Sequence, residues 1–161
     1  MKYLSLLALL FSLTCQAATF EGLVVGIVNG DTITVLDARK VRHKIHLAGI
    51  EAPRKFQAYG QRAKDSLSSL VFRLQVTVQT SKRDQYGQEL GKVLVGGRDA
   101  SLEQIKSGYA WHSKAHEGAQ SPADRKAYAA AQAEAKMQRV GLWRDAHPVP
   151  PWEFGKAKPR K

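Results

Sequence analysis

Residues 44–54 read Lys-Ile-His-Leu-Ala-Gly-Ile-Glu-Ala-Pro-Arg. Ile45 and Leu47 alternate with Lys44 and His46, the two-residue period of a strand with one buried face. Gly49 and Pro53 then end the ladder, because neither suits the interior of a central strand. Between them stands Glu51, a carboxylate at the mouth of the strand. Loops that leave a strand with polar groups are frequent places for function. Taken alone, the stretch reads as an ordinary strand end with solvated charges. It acquires meaning only if other polar groups converge on it.

Working outward, Phe20–Val28 is apolar and β-branched and reads as a first strand. Asn29-Gly30 is a tight-turn signal, Thr32–Leu36 a second strand and Val41–Ala48 a third. These three form a meander, with Asp31 just past the turn as a second carboxylate. Downstream, Gln57–Val71 changes to helical spacing, with Ala63, Leu67, Leu70 and Val71 on one face. Leu74–Thr80 alternates again as strand four. Ser81–Gly91 reads as a polar loop, and Lys92–Val95 as a short fifth strand closed by Gly96-Gly97. Ala100–Lys106 is a short helix stopped by Gly108. Ser121-Pro122-Ala123-Asp124 combines an N-cap, a first-turn proline and an early acid, and starts a helix running to about Arg139. Gly141 is placed to end it. There is no internal repeat and no sign of a second domain. Five short strands, one helix after the third and further helices at the end predict an α+β fold: a five-stranded OB-type β-barrel packed with about three α-helices.

Residues 1–18 read as an export signal: Lys2, then the apolar run Leu4–Leu13, too short to span a bilayer, then Gln16-Ala17-Ala18 as a small-residue cleavage site. Cleavage there removes Cys15, the single cysteine, so no disulfide is available and stability must come from the core. About 140 residues then remain, enough for one domain with one core. The chain carries a formal net charge of +11, of which Lys2 supplies one unit. The mature domain, residues 19–145, with its basic Pro-rich tail 146–161, is therefore attracted to polyanions. The tail contains Pro148, Pro150, Pro151 and Pro159, ends in Lys-Ala-Lys-Pro-Arg-Lys, and is expected to be loosely ordered from Arg144 onward. An exported destination, periplasmic or secreted, follows from the signal.

Seven motifs occur in one order: Asn29–Thr32 (NGDT), His46–Pro53 (HLAGIEAP), Tyr59–Ala63 (YGQRA), Asp84–Gly87 (DQYG), Leu90–Val95 (LGKVLV), Leu102–His112 (LEQIKSGYAWH) and Gly141–Trp143 (GLW). Together they resemble the staphylococcal-nuclease (thermonuclease) family, from about Phe20 to Trp152. The resemblance implies the OB-type barrel with three helices. It also implies calcium-dependent hydrolysis of DNA and RNA phosphodiesters. Two acidic side chains hold the ion, a glutamate orients or deprotonates water, and two arginines bind the phosphate. That division of labour makes chemical sense, because a phosphodiester repels nucleophiles and needs positive charge and a positioned water together.

Carried over position by position, the metal ligands fall on Asp31, on Glu51 (where the family usually has aspartate) and on the backbone carbonyl of Ala52. The first arginine position is His46, the glutamate position Arg54 and the second arginine position Gln88. All three catalytic positions therefore depart from the family pattern. A guanidinium stays protonated and cannot serve as a general base. Arg54 also brings a cation near the metal carboxylates, where pairing with Asp31 or Glu51 would weaken calcium binding. His46 is able to donate to a phosphate or act as a base near neutral pH, and Gln88 offers a neutral donor. Tyr86 is the candidate for touching a ligand, whereas Tyr109 and Trp111 read as core. Glu89 is expected to point elsewhere, and nothing in the sequence brings Arg42, Arg83 or Lys92 into the pocket. Three readings stay open: a catalytically impaired protein that still binds nucleic acid or another polyanion; an active endonuclease with a rearranged site using His46 and Arg54; and a structural or envelope protein that kept only the scaffold.

Overall fold

In a computed structural model, which describes residues 18–83 and 88–155, the described residues form eight strands and three α-helices. The strands are β1 (Thr19–Ile27), β2 (Thr32–Asp37), β3 (Arg42–Leu47), β4 (Ile50–Glu51), β5 (Gln75–Arg83), β6 (Glu89–Val95), β7 (Arg98–Asp99) and β8 (Trp111–His112). The helices are α1 (Gly60–Val71), α2 (Ala100–Lys106) and α3 (Pro122–Met137), with 3-10 turns at Lys114–Ala119 and Gly141–Arg144. Strands lie in the order β3-β2-β1-β5-β6, and a parallel pairing of β3 with β6 joins the two edges into a closed barrel. Closure removes the exposed strand edges that an open sheet would present. The five-stranded OB-type barrel with three helices read from the sequence is the fold of the protein.

Alternation decides which side chains fill the barrel. Val24, Ile33, Val35, Ile45, Leu47, Val76, Val78 and Val93 are all buried, and Ala63, Leu67 and Val71 of α1 pack onto the same cluster. Each fully buried aliphatic side chain of this size stabilises by about 1.5–3 kcal/mol. Where β6 crosses β3, Gly91 leaves the necessary room, since a Cβ there would lie 3.0 Å from both Ile45 Cγ2 and Val78 Cγ1. A second apolar cluster gathers Trp111, Ala135, Leu142 and Trp143 under α3.

Four local expectations change. The Asn29-Gly30 segment is not a two-residue hairpin turn: β1 ends at Ile27, β2 begins at Thr32, and neither Asn29 nor Gly30 has a positive φ. Gly30 is needed instead for close approach, because a Cβ on it would lie 2.6 Å from Ala63 Cβ and 2.8 Å from Ala52 Cβ. Asp31 consequently lies within the loop rather than past it. Strands β5 and β6 run on to Arg83 and back to Glu89, through residues read as loop; polar residues there have no apolar alternation to betray them. Helix α1 starts at Gly60, not Gln57, because the Gln57 side chain is used elsewhere: Oε1 accepts from Arg54 N–H and Nε2 donates to the Val149 carbonyl. The tail up to residue 155 is packed rather than loose, with Pro151 buried and the Trp152 ring 6.3 Å from that of Trp111.

One buried carboxamide joins the layers. Gln104 of α2 is 1% exposed. Its Nε2 donates to the Gly30 carbonyl at 2.8 Å and to the Ala63 carbonyl at 2.9 Å, and its Oε1 accepts from Ser66 Oγ at 2.6 Å. Replacing it strands the buried Gly30 carbonyl, at a cost on the order of 1–3 kcal/mol, and removes the bonds to Ala63 and Ser66 as well. Gln104→Ala is therefore expected to destabilise the fold by about 2 kcal/mol or more, read as a lowered urea midpoint at unchanged slope.

On the far side of α2, Asp99 caps the helix through Oδ1, and its Oδ2 accepts from Tyr128 Oη at 2.6 Å and lies 3.5 Å from Lys92 Nζ. Burial disfavours the charge on Lys92, but its hydrogen bond to Asp124 at 2.6 Å and the nearby carboxylates outweigh this and hold the ammonium above its ordinary 10.5. Burial, with Asp99 beside it, also raises the Tyr128 phenol well above 10.0. Both folded-state values exceed the unfolded ones, so both contributions are complete at neutral pH and are lost as pH rises through about 10 and beyond. Stability measured against pH should fall steeply on the alkaline side, and Lys92→Met and Tyr128→Phe should each make that fall shallower.

Candidate active site

Asp31 is held from every side although it lies in a loop. Its N–H donates to Asn29 Oδ1 at 3.1 Å and its carbonyl accepts from Leu47 N–H at 2.8 Å. Thr32 Oγ1 donates to Oδ1 at 2.8 Å, and Ala52 N–H donates to Oδ2 at 2.7 Å. The side chain is buried, 4% exposed, so these donors replace the water a carboxylate would otherwise need. The last of these bonds also fastens the segment after β3 onto the β1–β2 loop.

The two neighbours arrive by register. His46 of β3 stands opposite Thr32 of β2, the residue following Asp31. Beyond β3, Gly49 turns the chain with φ 75°. Ser101 Oγ donates to the Ala48 carbonyl at 3.0 Å and Ser113 N–H to the Gly49 carbonyl at 2.9 Å. Strand β4 then pairs with β8, setting Glu51 opposite Trp111. The outcome is a constellation in which a carboxylate oxygen of Asp31, an imidazole nitrogen of His46 and a carboxylate oxygen of Glu51 all lie within 4.8 Å of one another. Asp31 is buried; His46 and Glu51 are half-buried. It is the one cluster of three such side chains among the described residues.

The remaining positions read from the sequence fall unevenly around this point. Ala52 is buried and tied to Asp31 through its N–H. Arg54 is exposed, and its guanidinium forms no ion pair with a described carboxylate, so the expected pairing with Asp31 or Glu51 is not made. Gln88 is half-buried just before β6, the strand whose Leu90 stands opposite His46. Tyr86 lies outside the described residues. Glu89 does point elsewhere, toward His43 Nδ1 at 3.3 Å. Arg42 is exposed at the far end of β3, and Lys92 is engaged by Asp124 and Asp99. Trp111 is buried against Trp143, with ring centroids 5.4 Å apart, and Tyr109 packs on the main core. Gln104, which carries the Asp31 loop from behind, is a residue that sequence reading missed. Its trace was a lone amide on a short helix whose other buried residues are Ala100, Ser101 and Ile105.

A family profile described as staphylococcal nuclease homologue matches residues 44–145. The chain belongs to that family. An Escherichia coli protein named an uncharacterized endonuclease is 38% identical over 152 residues, covering 94% of this chain and 95% of that one. A Shigella flexneri protein named micrococcal nuclease is 37% identical over 149 residues, covering 87% and 83%. The Escherichia coli protein named ParB is 38% identical over 147 residues, covering 85% and 80%.

For a staphylococcal nuclease homologue, calcium is the ion to test against the donor set. Calcium takes six to eight oxygen ligands. Asp31 and Glu51 supply oxygens, but the third group converging on them is an imidazole, whose nitrogen suits that ion poorly. Asp31 and Glu51 are the oxygen donors that would face such an ion, with the His46 nitrogen beside them, and no chemical step is derived through it. What the side chains themselves offer is an anchored, buried carboxylate, a second carboxylate on a longer stem and an imidazole able to donate or accept a proton.

The Asp31 anchor has a measurable weight. Asp31→Ala leaves the Ala52 N–H and the Thr32 hydroxyl without their acceptor, and each unpaired buried group costs on the order of 1–3 kcal/mol. The variant is expected to unfold at distinctly lower urea than the parent, whereas Glu51→Ala, at a half-buried position, should shift the midpoint much less.

Proposed function

We propose that this chain is an exported, nucleic-acid-binding member of the staphylococcal nuclease family in which phosphodiester hydrolysis by the family route is lost or strongly reduced. The observation that carries this reading is the replacement of all three catalytic positions around an otherwise intact scaffold: His46 and Gln88 for arginines, Arg54 for the glutamate. A guanidinium cannot take a proton from water. Removing one group that meets transition-state charge costs about 10²–10³ in rate, and here two cations are absent from their places.

Binding does not need that trio. A mature domain of net charge +10, one unit below the whole chain, gains from releasing the counterions of a phosphate backbone whatever the base sequence. His46 supplies a donor at the pocket, and Arg54, exposed at its rim, supplies a fixed charge. These groups suit contact with phosphates of DNA or RNA, and with other polyanions less selectively.

A second reading, an active endonuclease with His46 as base and Arg54 as phosphate clamp, draws support from the convergence of His46 with Asp31 and Glu51 within 4.8 Å. The names of the bacterial relatives point the same way. One comparison separates the two. Purified protein is incubated with single-stranded DNA and with RNA, with divalent ions and with chelator. The proposal expects oligonucleotide binding that weakens steeply between 50 and 200 mM salt, roughly tenfold or more for a handful of phosphate contacts, with no cleavage above that of an Asp31→Ala control. Cleavage abolished by His46→Ala and by Asp31→Ala would overturn it in favour of the rearranged enzyme. Neither binding nor cleavage at moderate salt would leave a scaffold without nucleic-acid function.

Restoring the family residues tests the placement of the pocket. The triple variant His46→Arg, Arg54→Glu, Gln88→Arg should gain calcium-dependent cleavage, because it removes the nitrogen donor and returns both cations and the base. A folded, calcium-binding triple variant without activity would count against these positions.

A further inference from the structure

We infer that Asp31, His46 and Glu51 form a binding site for a first-row transition-type divalent cation, zinc foremost, in place of the family's calcium. Two of the three groups sit where the family holds its calcium. The third, His46, occupies a position whose family residue is a cation, so this chain exchanges a positive charge for a ligand. That exchange changes both the charge of the pocket and the class of ion it suits. Two carboxylates and one imidazole make a mixed oxygen–nitrogen set, which favours zinc, cobalt or nickel over the hard, oxygen-seeking calcium and magnesium.

The geometry is close to what such an ion needs. The three donor atoms lie within 4.8 Å of one another. Ligands about 2.0–2.2 Å from a shared zinc stand roughly 3.4 Å apart in a tetrahedron, so the set must contract by little more than about 1 Å. Asp31 is fixed by Thr32 Oγ1 and Ala52 N–H, each donating to a different carboxylate oxygen, in the manner of the outer-shell bonds that orient a metal ligand. Glu51 and His46, both half-buried, complete the set around this fixed carboxylate. Glu51 has one more rotatable bond than the aspartate usual at its position, which brings its oxygen within reach of an ion displaced toward His46. Three protein ligands leave at least one coordination position open to water or to a phosphate oxygen. The site lies in the pocket of the proposed function, but taking up an ion requires neither nucleic acid nor cleavage.

The test is metal binding to the protein without nucleic acid. Zinc affinity is measured by competition with a chromophoric chelator, and calcium affinity by calorimetry under the same conditions. Zinc should bind one per chain and at least about 100-fold more tightly than calcium. His46→Ala should weaken zinc at least tenfold while leaving calcium binding unchanged or improved. His147→Ala should change neither, which separates the site from surface-imidazole binding. Because His46 lies in a barrel strand, each variant is checked by its urea midpoint, and two measurements on the unaltered protein stand without variants. Cobalt should give visible absorption stronger than that of the hexaaqua ion, and zinc should shift the His46 imidazole nitrogen resonances. Zinc affinity unchanged in a folded His46→Ala, calcium bound as tightly as zinc, or His46 resonances unmoved at zinc saturation would each overturn the inference. Loss of oligonucleotide binding with zinc affinity intact would refute the proposed function and leave this site standing.

Discussion

A single buried amide carries the pocket. Gln104 reaches from α2 to the carbonyl of Gly30 in the β1–β2 loop and to that of Ala63 in α1. The loop cannot be tied by a ladder, because it leaves the sheet to present Asp31. It cannot be tied by an apolar side chain, because Gly30 has none. Two hydrogen bonds to one carboxamide solve both problems and let helix, loop and barrel share one reference point. On the other face of the loop Asp31 repeats the device, accepting from Ala52 and so drawing the end of β4 inward. A side chain in the Gly30 position would separate the pieces, since its Cβ would meet Ala52 and Ala63.

Legibility in the sequence follows the length scale of the forces. The barrel was legible because alternation is written residue by residue: Ile45 and Leu47 faced inward as their spacing required, and α3 began at the Ser121 cap with Pro122 behind it. Strand ends at residues 80–91 were not legible, because pairing there is held by backbone bonds between polar residues. The Asn29-Gly30 pair misled for a related reason. Glycine signals either a positive φ or a close approach, and only the distant partners Ala52 and Ala63 tell which. Of the pocket, the motif order located Asp31, Glu51 and His46, but the nearness of the His46 imidazole to both carboxylates depends on the Thr32–His46 register and the β4–β8 pairing. The exposed course of Arg54 likewise depends on how the 53–57 turn is fastened by Gln57.

Under the proposed placement, this pocket differs from the family pattern more in charge than in shape: His46 and Gln88 stand for arginines and Arg54 for a glutamate. The backbone that supports them retains its bonds through Thr32, Leu47 and Ala52. The hydrogen bonds that hold Asp31 are made with Asn29, Thr32, Leu47 and Ala52, none of them among positions 46, 54 and 88.

The contact of Trp152 with Trp111 has a bearing on how the protein can be handled. Trp111 is the β8 partner of Glu51, and Trp152 lies against its ring from the C-terminal segment. The segment up to residue 155 is thereby a buttress behind Trp111, and Gln57 grips the same segment at Val149. A label, linker or fused domain joined after residue 155 leaves that buttress in place. The same addition made at residue 146, where a Pro-rich sequence invites a cut, would remove the contacts to Trp111 and Gln57 along with the charge of the tail.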